Sequence, residues 1–197
     1  MATEPRTVAI FGGSFNPPHV AHVLVATYIL QVADVDEVWI EPVFRHPLDK
    51  PLTASFEDRV AMCELAFRDL GQRVVVRQDE FGNPTGRTFE LLETLAVQHP
   101  TVQFRLVVGS DLLQRTSRWH NLAGIRAIAP LLVVQRPGSL PTSGGPDEVL
   151  PVEMPHLSSH ALRTELALSH SIAGKLPQRV WQHILAHGLY SPPAGRA

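Results

Sequence analysis

The chain has 197 residues, a formal net charge of −2 and a pI near 6.5, so it exerts no broad pull on nucleic acid or an anionic membrane, and any phosphate recognition has to be local. Its length suits one well-cored domain, and it contains no apolar run near the ~18–20 residues that a membrane-spanning helix needs. Cys63 is the only cysteine, which excludes an intramolecular disulfide; its apolar setting, and a start at residues 1–6 without a signal-peptide core, predict a reducing, cytoplasmic location.

The first strand is predicted at residues 7–11 from the run Val8-Ala9-Ile10-Phe11, and a helix at 20–32 follows it. A second strand at 37–43 leads to a helix at 55–67, with Ser55 and Asp58 spaced as a capping box. A third strand at 74–77, a helix at 88–98, a fourth strand at 104–108 and a fifth at 131–135 continue the pattern. Residues 136–146 are rich in Pro, Gly and Ser and predict a loop; 149–154 then supplies an edge strand, and 159–169 and 177–187 supply two terminal helices. Strands alternating with helices predict an α/β, Rossmann-like parallel sheet, and strands that are apolar almost throughout predict helices on both faces. Residues 1–190 read as a single domain with C-terminal helices, and 191–197 as a disordered tail.

In an open parallel sheet the ligand crevice lies outside the carboxyl ends of the strands, which directs attention to the segment after the first strand. Gly12 and Gly13 let the backbone turn sharply and bring its amides close to an anion with no Cβ between. A helix is expected to start near Pro18, because proline suits a first helical turn and Pro17, standing before another proline, is held out of the helical region. His19 and His22 then share a face at the positive end of the helix dipole, where a triphosphate, if placed there, meets free N–H groups and two imidazole donors. A glycine pair after a strand is by itself usually a plain tight turn. Two histidines can also be half of a metal site, but a zincin needs them at i and i+4 with a Glu between, and this stretch has neither.

Later segments carry weaker signals, each with a plain structural reading beside it. Ser158 and Ser159 open a predicted helix with Arg163 one turn on, which suits phosphate but also describes a simple cap and a surface charge. His156 and His160, at i and i+4, lack a third ligand for a metal. Gly109 and Asp111 follow the fourth strand, and Trp119 comes eight residues after Asp111; a flat Trp face stacks on a heteroaromatic ring, or simply fills the core. Arg87 and Thr88 open the third helix, where an exposed Arg is the default. In the loop after the second strand, Lys50 or Arg45 either neutralises a phosphate or is an ordinary surface charge. His183 and His187 read as part of a solvated helix face.

Taken as one ordered string, Gly12-Gly13-Ser14-Phe15-Asn16-Pro17-Pro18-His19-Val20-Ala21-His22 is similar to the Gly-Gly-x-Phe-(Asn or Asp)-Pro-x-His-x-Gly-His signature of the HxGH nucleotidyltransferases. Its Ser-Phe-Asn-Pro-Pro version resembles the bacterial nicotinate mononucleotide adenylyltransferase family most closely. Leu157-Ser158-Ser159-His160-Ala161-Leu162-Arg163 resembles that family's Ile-Ser-Ser-Thr-x-Ile-Arg. Gly109-Ser110-Asp111 with Trp119 resembles its Gly-x-Asp…Trp arrangement, Arg87-Thr88 falls on its Tyr-Thr helix start, and Arg136-Pro137-Gly138 matches its Arg-Pro-Gly strand ending. The resemblance spans residues 7–190. Departures are Ala21 in place of Gly, His160 in place of Thr, His120 at an often aromatic place, Arg87 and Leu91 in the third-helix motif, and Phe44-Arg45-His46-Pro47-Leu48-Asp49-Lys50 where the family has Pro-Pro-His-Lys.

The resemblance implies transfer of AMP from ATP to nicotinate mononucleotide, with release of pyrophosphate and formation of deamido-NAD in NAD biosynthesis. It implies His19, His22 and Arg163 as the catalytic groups. Around ATP it places Gly12, Gly13, Ser14, Phe15, His19, His22, Gly109, Asp111, Ser158, Ser159 and Arg163, and around the acceptor Asn16, Lys50, Arg87, Thr88, Trp119 and Arg136. Mg²⁺ is implied as the companion of ATP, held by phosphates and water and by no protein cage. The implied partners are ATP and a pyridine mononucleotide, with neither nucleic acid nor membrane; the oligomeric state is left open, a homo-oligomer included. The alternatives are another acceptor, either nicotinamide mononucleotide or phosphopantetheine, and a nucleotide-binding protein with weakened catalysis.

Overall fold

Alternation along an apolar strand sends successive side chains to opposite faces, and each face then needs its own cover. The computed structural model describes residues 5–45, 52–113, 119–135, 147–168, 170, 172 and 174–191. Its strands are β1 (Arg6–Gly13), β2 (Glu37–Pro42), β3 (Val74–Val76), β4 (Val102–Gly109), β5 (Leu131–Gln135) and β6 (Glu148–Glu153). Its helices are α1 (Val20–Val32), α2 (Phe56–Phe67), α3 (Thr88–Gln98), α4 (Ser110–Leu113), α5 (Leu122–Ile128), α6 (Ser159–Ala167) and α7 (Gln178–His187). The strands form one parallel sheet in the order β3-β2-β1-β4-β5-β6. The expected α/β, Rossmann-like architecture is therefore the one observed.

Two cores follow from the alternation. Ala9, Val38, Ile40, Val107, Leu132 and Val134 face α1, α2, α6 and α7, where Ala26, Ile29, Met62, Cys63, Leu162 and Ile184 meet them. Val8, Ile10, Trp39, Leu106, Leu131 and Val133 face α3 and α5, where Leu92, Leu95 and Ile125 cover them. Cys63 is fully buried, as its apolar setting predicts, and burial pushes its thiol up. No helix among the described residues is long and apolar enough to cross a membrane.

The sheet order places the site. The chain runs from β1 outward through β2 to β3, then returns to the other side of β1 and runs outward through β4 and β5 to β6. Strand order reverses at β1, so a crevice opens between the carboxyl ends of β1 and β4, where the next segments diverge.

Several local expectations change. The first helix spans 20–32 as its apolar period predicts, while the start cue near Pro18 fails: His19 has an extended backbone (φ −135°, ψ 172°) and serves as the N-cap. Two helices are missed, α4 because a single turn shows no period and α5 because it is short and contains Gly124. His183 is not on a solvated face: its side chain is only 13% exposed and its Nε2 lies 3.4 Å from Asp58 on α2. The edge strand is present as β6, paired parallel to β5 with an irregular register after Val134. Lys50, Arg136, the loop expected at 136–146 and the tail after Ser191 lie outside the described residues.

Candidate active site

The loop leaving β1 is mostly buried, although it borders the crevice. Phe15, Asn16, Pro17, Pro18 and His19 are buried, whereas Gly12 is exposed and a Cβ there would meet nothing within 4 Å. A Cβ on Gly13 would lie 3.1 Å from the Phe15 ring, so the second glycine is needed for the ring to fold beneath the loop. Phe15 pays for that position with φ +43°, an uncommon value for a bulky residue. Its ring is held by Phe11 (5.5 Å between centroids), Phe67 (6.2 Å) and His22 (4.9 Å). The Phe15 side chain is therefore core, and what it offers a ligand is backbone.

Four carbonyls of this loop are engaged by donors from distant parts of the chain. Val43 N donates to Gly13 O at 2.9 Å, and Arg59 Nη1 to Ser14 O at 3.0 Å. Arg163 Nη1 donates to Asn16 O at 2.6 Å, and Ser159 Oγ to Pro17 O at 2.9 Å. The Asn16 side chain, 1% exposed, is fixed as well: its Oδ1 accepts from Tyr190 OH at 2.7 Å and from Ala54 N at 3.3 Å. Burial pushes the Tyr190 phenol up, so it stays protonated and remains a donor. Ser158 caps α6, its Oγ accepting from Ala161 N at 3.1 Å. The two segments singled out as phosphate-binding thus meet, and Ser159 and Arg163 spend part of their hydrogen-bonding capacity on holding the other segment.

At the start of α1 the two histidines form one unit. His19 N donates to His22 Nδ1 at 3.1 Å, and the rings stack with centroids 3.6 Å apart at an interplanar angle of 14°. A ring nitrogen that accepts is bare, so the neutral His22 ring carries its proton on Nε2 and is a donor there. The first-turn amides are less available than the sequence suggests. Val20 N donates to Lys175 O at 3.1 Å, and His22 N to His19 O at 2.9 Å.

Across the crevice, Gly109 ends β4 and is followed by buried Ser110 and exposed Asp111. Thr88 is the first residue of α3, placed by a turn that the sequence reading missed. Buried Asn83 donates to Glu80 Oε2 at 3.2 Å and to Arg87 O at 3.1 Å, and accepts from Gly86 N at 3.1 Å. Arg87 is exposed and reaches Glu90 at 3.5 Å within its own helix. Trp119 packs partly against the α3 side of the core, and His120 meets Phe89 edge-on at 6.2 Å. A further group at this end is Glu41, the penultimate residue of β2, paired with Gly12. It is wholly buried, and burial, then the charge of Asp79 and a side-chain hydrogen bond with it, then Glu80, push it up to about 9, with Arg77 pulling the other way.

Sequence reasoning also missed Arg59 and Tyr190. Arg59 did leave a signal, since it stands at i+3 from Phe56 and i−4 from Cys63, on the apolar stripe of its helix. Tyr190 left none: its partner Asn16 is 174 residues away. Among the described residues no group of three or more His, Cys, Asp or Glu side chains is gathered as for a metal ion. Imidazoles, guanidinium groups, hydroxyls and amides around the loop suit an anion, and a divalent cation only as that anion's companion.

Comparison with known proteins agrees with this arrangement. A family model described as cytidylyltransferase-like matches residues 10–167. A protein of Anaeromyxobacter dehalogenans, described as a probable nicotinate-nucleotide adenylyltransferase, is 44% identical over 188 residues, covering 94% of this chain and 97% of the relative. One from Myxococcus xanthus with the same description is 35% identical over 93% of this chain and 94% of its own length. The structure of Plasmodium falciparum nicotinic acid mononucleotide adenylyltransferase complexed with NaAD shares the fold, with a TM-score of 0.77 at 21% identity over 94% of this chain and 97% of that one. With the family model over most of its length and full-length relatives at this identity, the chain belongs to the cytidylyltransferase-like family, in its nicotinate-nucleotide adenylyltransferase group.

Proposed function

We propose that the protein joins the AMP moiety of ATP to the 5′-phosphate of nicotinate mononucleotide in the cytoplasm, forming deamido-NAD and releasing pyrophosphate. The observation that carries this reading is the junction of Ser159 and Arg163 with Pro17 and Asn16, across separations of 142 and 147 residues, at the carboxyl end of the sheet. A phosphate oxygen of the mononucleotide forms a bond to the α-phosphorus of ATP as the bond from that phosphorus to the pyrophosphate oxygen breaks. No covalent bond to the chain is needed, so catalysis rests on positioning and on charge neutralisation.

In this reading Gly12 and Gly13 admit the phosphates closely, and His19 and His22 donate to them, with His22 nearest the α-phosphate. Ser158, Ser159 and Arg163 serve the β- and γ-phosphates, while Gly109 and Asp111 take the ATP ribose. Thr88, Arg87 and Trp119 flank the pyridine ring, and Asn16 acts from behind the loop. Lys50 and Arg136 are assigned to the acceptor from the family resemblance alone. Mg²⁺, held by the phosphates and water with no protein ligand assigned, would supply charge neutralisation. The test is pyrophosphate release from ATP with nicotinate mononucleotide, nicotinamide mononucleotide and phosphopantetheine side by side. Release with the first is expected; release only with another acceptor reassigns the substrate, and release with none defeats the reading.

A further inference from the structure

Arg59 is 1% exposed, and among the described residues no carboxylate lies within ion-pair distance of it. Its contacts are Nη1 to Ser14 O at 3.0 Å and the face of Phe56, 5.5 Å from the guanidinium carbon; Nε is buried with no hydrogen-bond partner among the described residues. Of its neighbours on α2, Asp58 accepts from Ser55 Oγ at 2.9 Å and faces His183, while exposed Glu57 acts on Arg59 through its charge but forms no ion pair with it. A guanidinium cannot shed its charge as a lysine can. A buried cation without a counter-charge is costly to the folded chain, and fixed charge in a desolvated site acts on a ligand with little screening. Arg59 reaches from α2 to the Gly12 to His22 loop, where its guanidinium lies against the Ser14 peptide.

Resting on the adenylyltransferase reading, we propose that Arg59 is a positioning residue whose charge, without an ion-pair partner among the described residues and set behind Ser14, finds its counter-ion in the triphosphate of the bound nucleotide. Arg59 touches no substrate; it holds the Ser14 peptide and lends the loop a fixed positive potential. Its effect therefore grows with the charge on the ligand, which distinguishes it from a packing role.

The test compares ATP and AMP binding by calorimetry in the native chain, Arg59→Gln and Arg59→Lys, with melting temperature read without ligand. Glutamine keeps a donor for Ser14 O and removes the charge; lysine keeps a charge and loses the fork. The glutamine variant is expected to melt no lower than the native chain and to lose about tenfold in ATP affinity, with AMP changed by less than about threefold. The lysine variant is expected to retain ATP affinity within about threefold. Equal losses for ATP and AMP, no loss at all, or failure of both variants to fold would each overturn the proposal. Turnover by the native chain, measured alongside, separates these results from a failure of the adenylyltransferase reading itself.

Discussion

Glu41 shows how one side chain departs from what its neighbours in sequence predict. A Glu near the end of an apolar strand reads as the point where the strand reaches solvent, yet it is wholly buried, beside Asp79 and Glu80. Its carboxyl is raised from about 4.5 to about 9, chiefly by burial. The folded chain thus keeps a proton that the unfolded chain releases. This difference costs nothing at a pH below the unfolded value, and stability falls as pH climbs from there toward the folded value. Glu41→Gln removes that titration, so the variant is expected to be more stable than the native chain at pH 8, with the gap closing toward pH 5. Urea midpoints at the two pH values measure this, and a pH-independent gap would contradict it. At Tyr190, Tyr190→Phe takes away the hydrogen bond to Asn16 and leaves Ala54 N as the Oδ1 partner in view. A loss of about 1 kcal/mol in denaturant unfolding and a several-fold fall in kcat/KM are expected; unchanged kinetics would show that Asn16 needs no help from the C-terminal segment.

At the scale of elements, most of what positions the site follows from helix and strand ends. The predicted capping pair at α2 is present, with Asp58 N donating to Ser55 Oγ at 3.0 Å. Helices α1 and α3 span the expected residues because their apolar period and boundaries are written locally. The start cue at Pro18 points two residues too early, because His19 keeps an extended backbone as the N-cap and the helix begins at Val20, as its apolar period predicts. Helix α5 escaped notice for a tertiary reason. Asn121 caps it from a left-handed conformation (φ +51°), and Gly124 lets α5 lie against α3, where a Cβ would come within 2.4 Å of the Phe89 ring. Gly124→Ala is therefore expected to destabilise the fold by about 1–3 kcal/mol in chemical denaturation, despite alanine's better helix propensity. Stabilisation would mean that α3 and α5 separate freely.

The whole molecule has a net charge of −2, while its proposed phosphate site gathers Arg59, Arg163, His19 and His22 without a metal cage among the described residues. Binding of an anionic nucleotide should then stabilise the native state by mass action, by about 2.7 kcal/mol at a hundredfold excess over Kd. For a chain of this size that corresponds to roughly 5–10 °C in Tm. A melting scan with ATP, and with adenosine as the uncharged control, measures it; equal shifts would place the affinity in the base and not in the phosphates.

The sequence by itself determined the alternation of strands and helices, the parallel sheet with two covered faces, and the place of the Gly12 to His22 segment after β1. Each of these rests on period, propensity or backbone freedom within a few residues, and such preferences act before the chain is folded. Only the tertiary structure decided how that segment is held. Arg59, Ser159, Arg163 and Tyr190 reach it from 45, 142, 147 and 174 residues away. Those contacts exist because α2, α6 and the segment after α7 pack on one face of the sheet beside β1, and no local pattern encodes which side chain arrives at which carbonyl. The same packing buries Arg59, whose place on the apolar stripe of α2 hints at it, whereas Glu41 is buried on the opposite face, beside Asp79 and Glu80, with no local pattern to announce it.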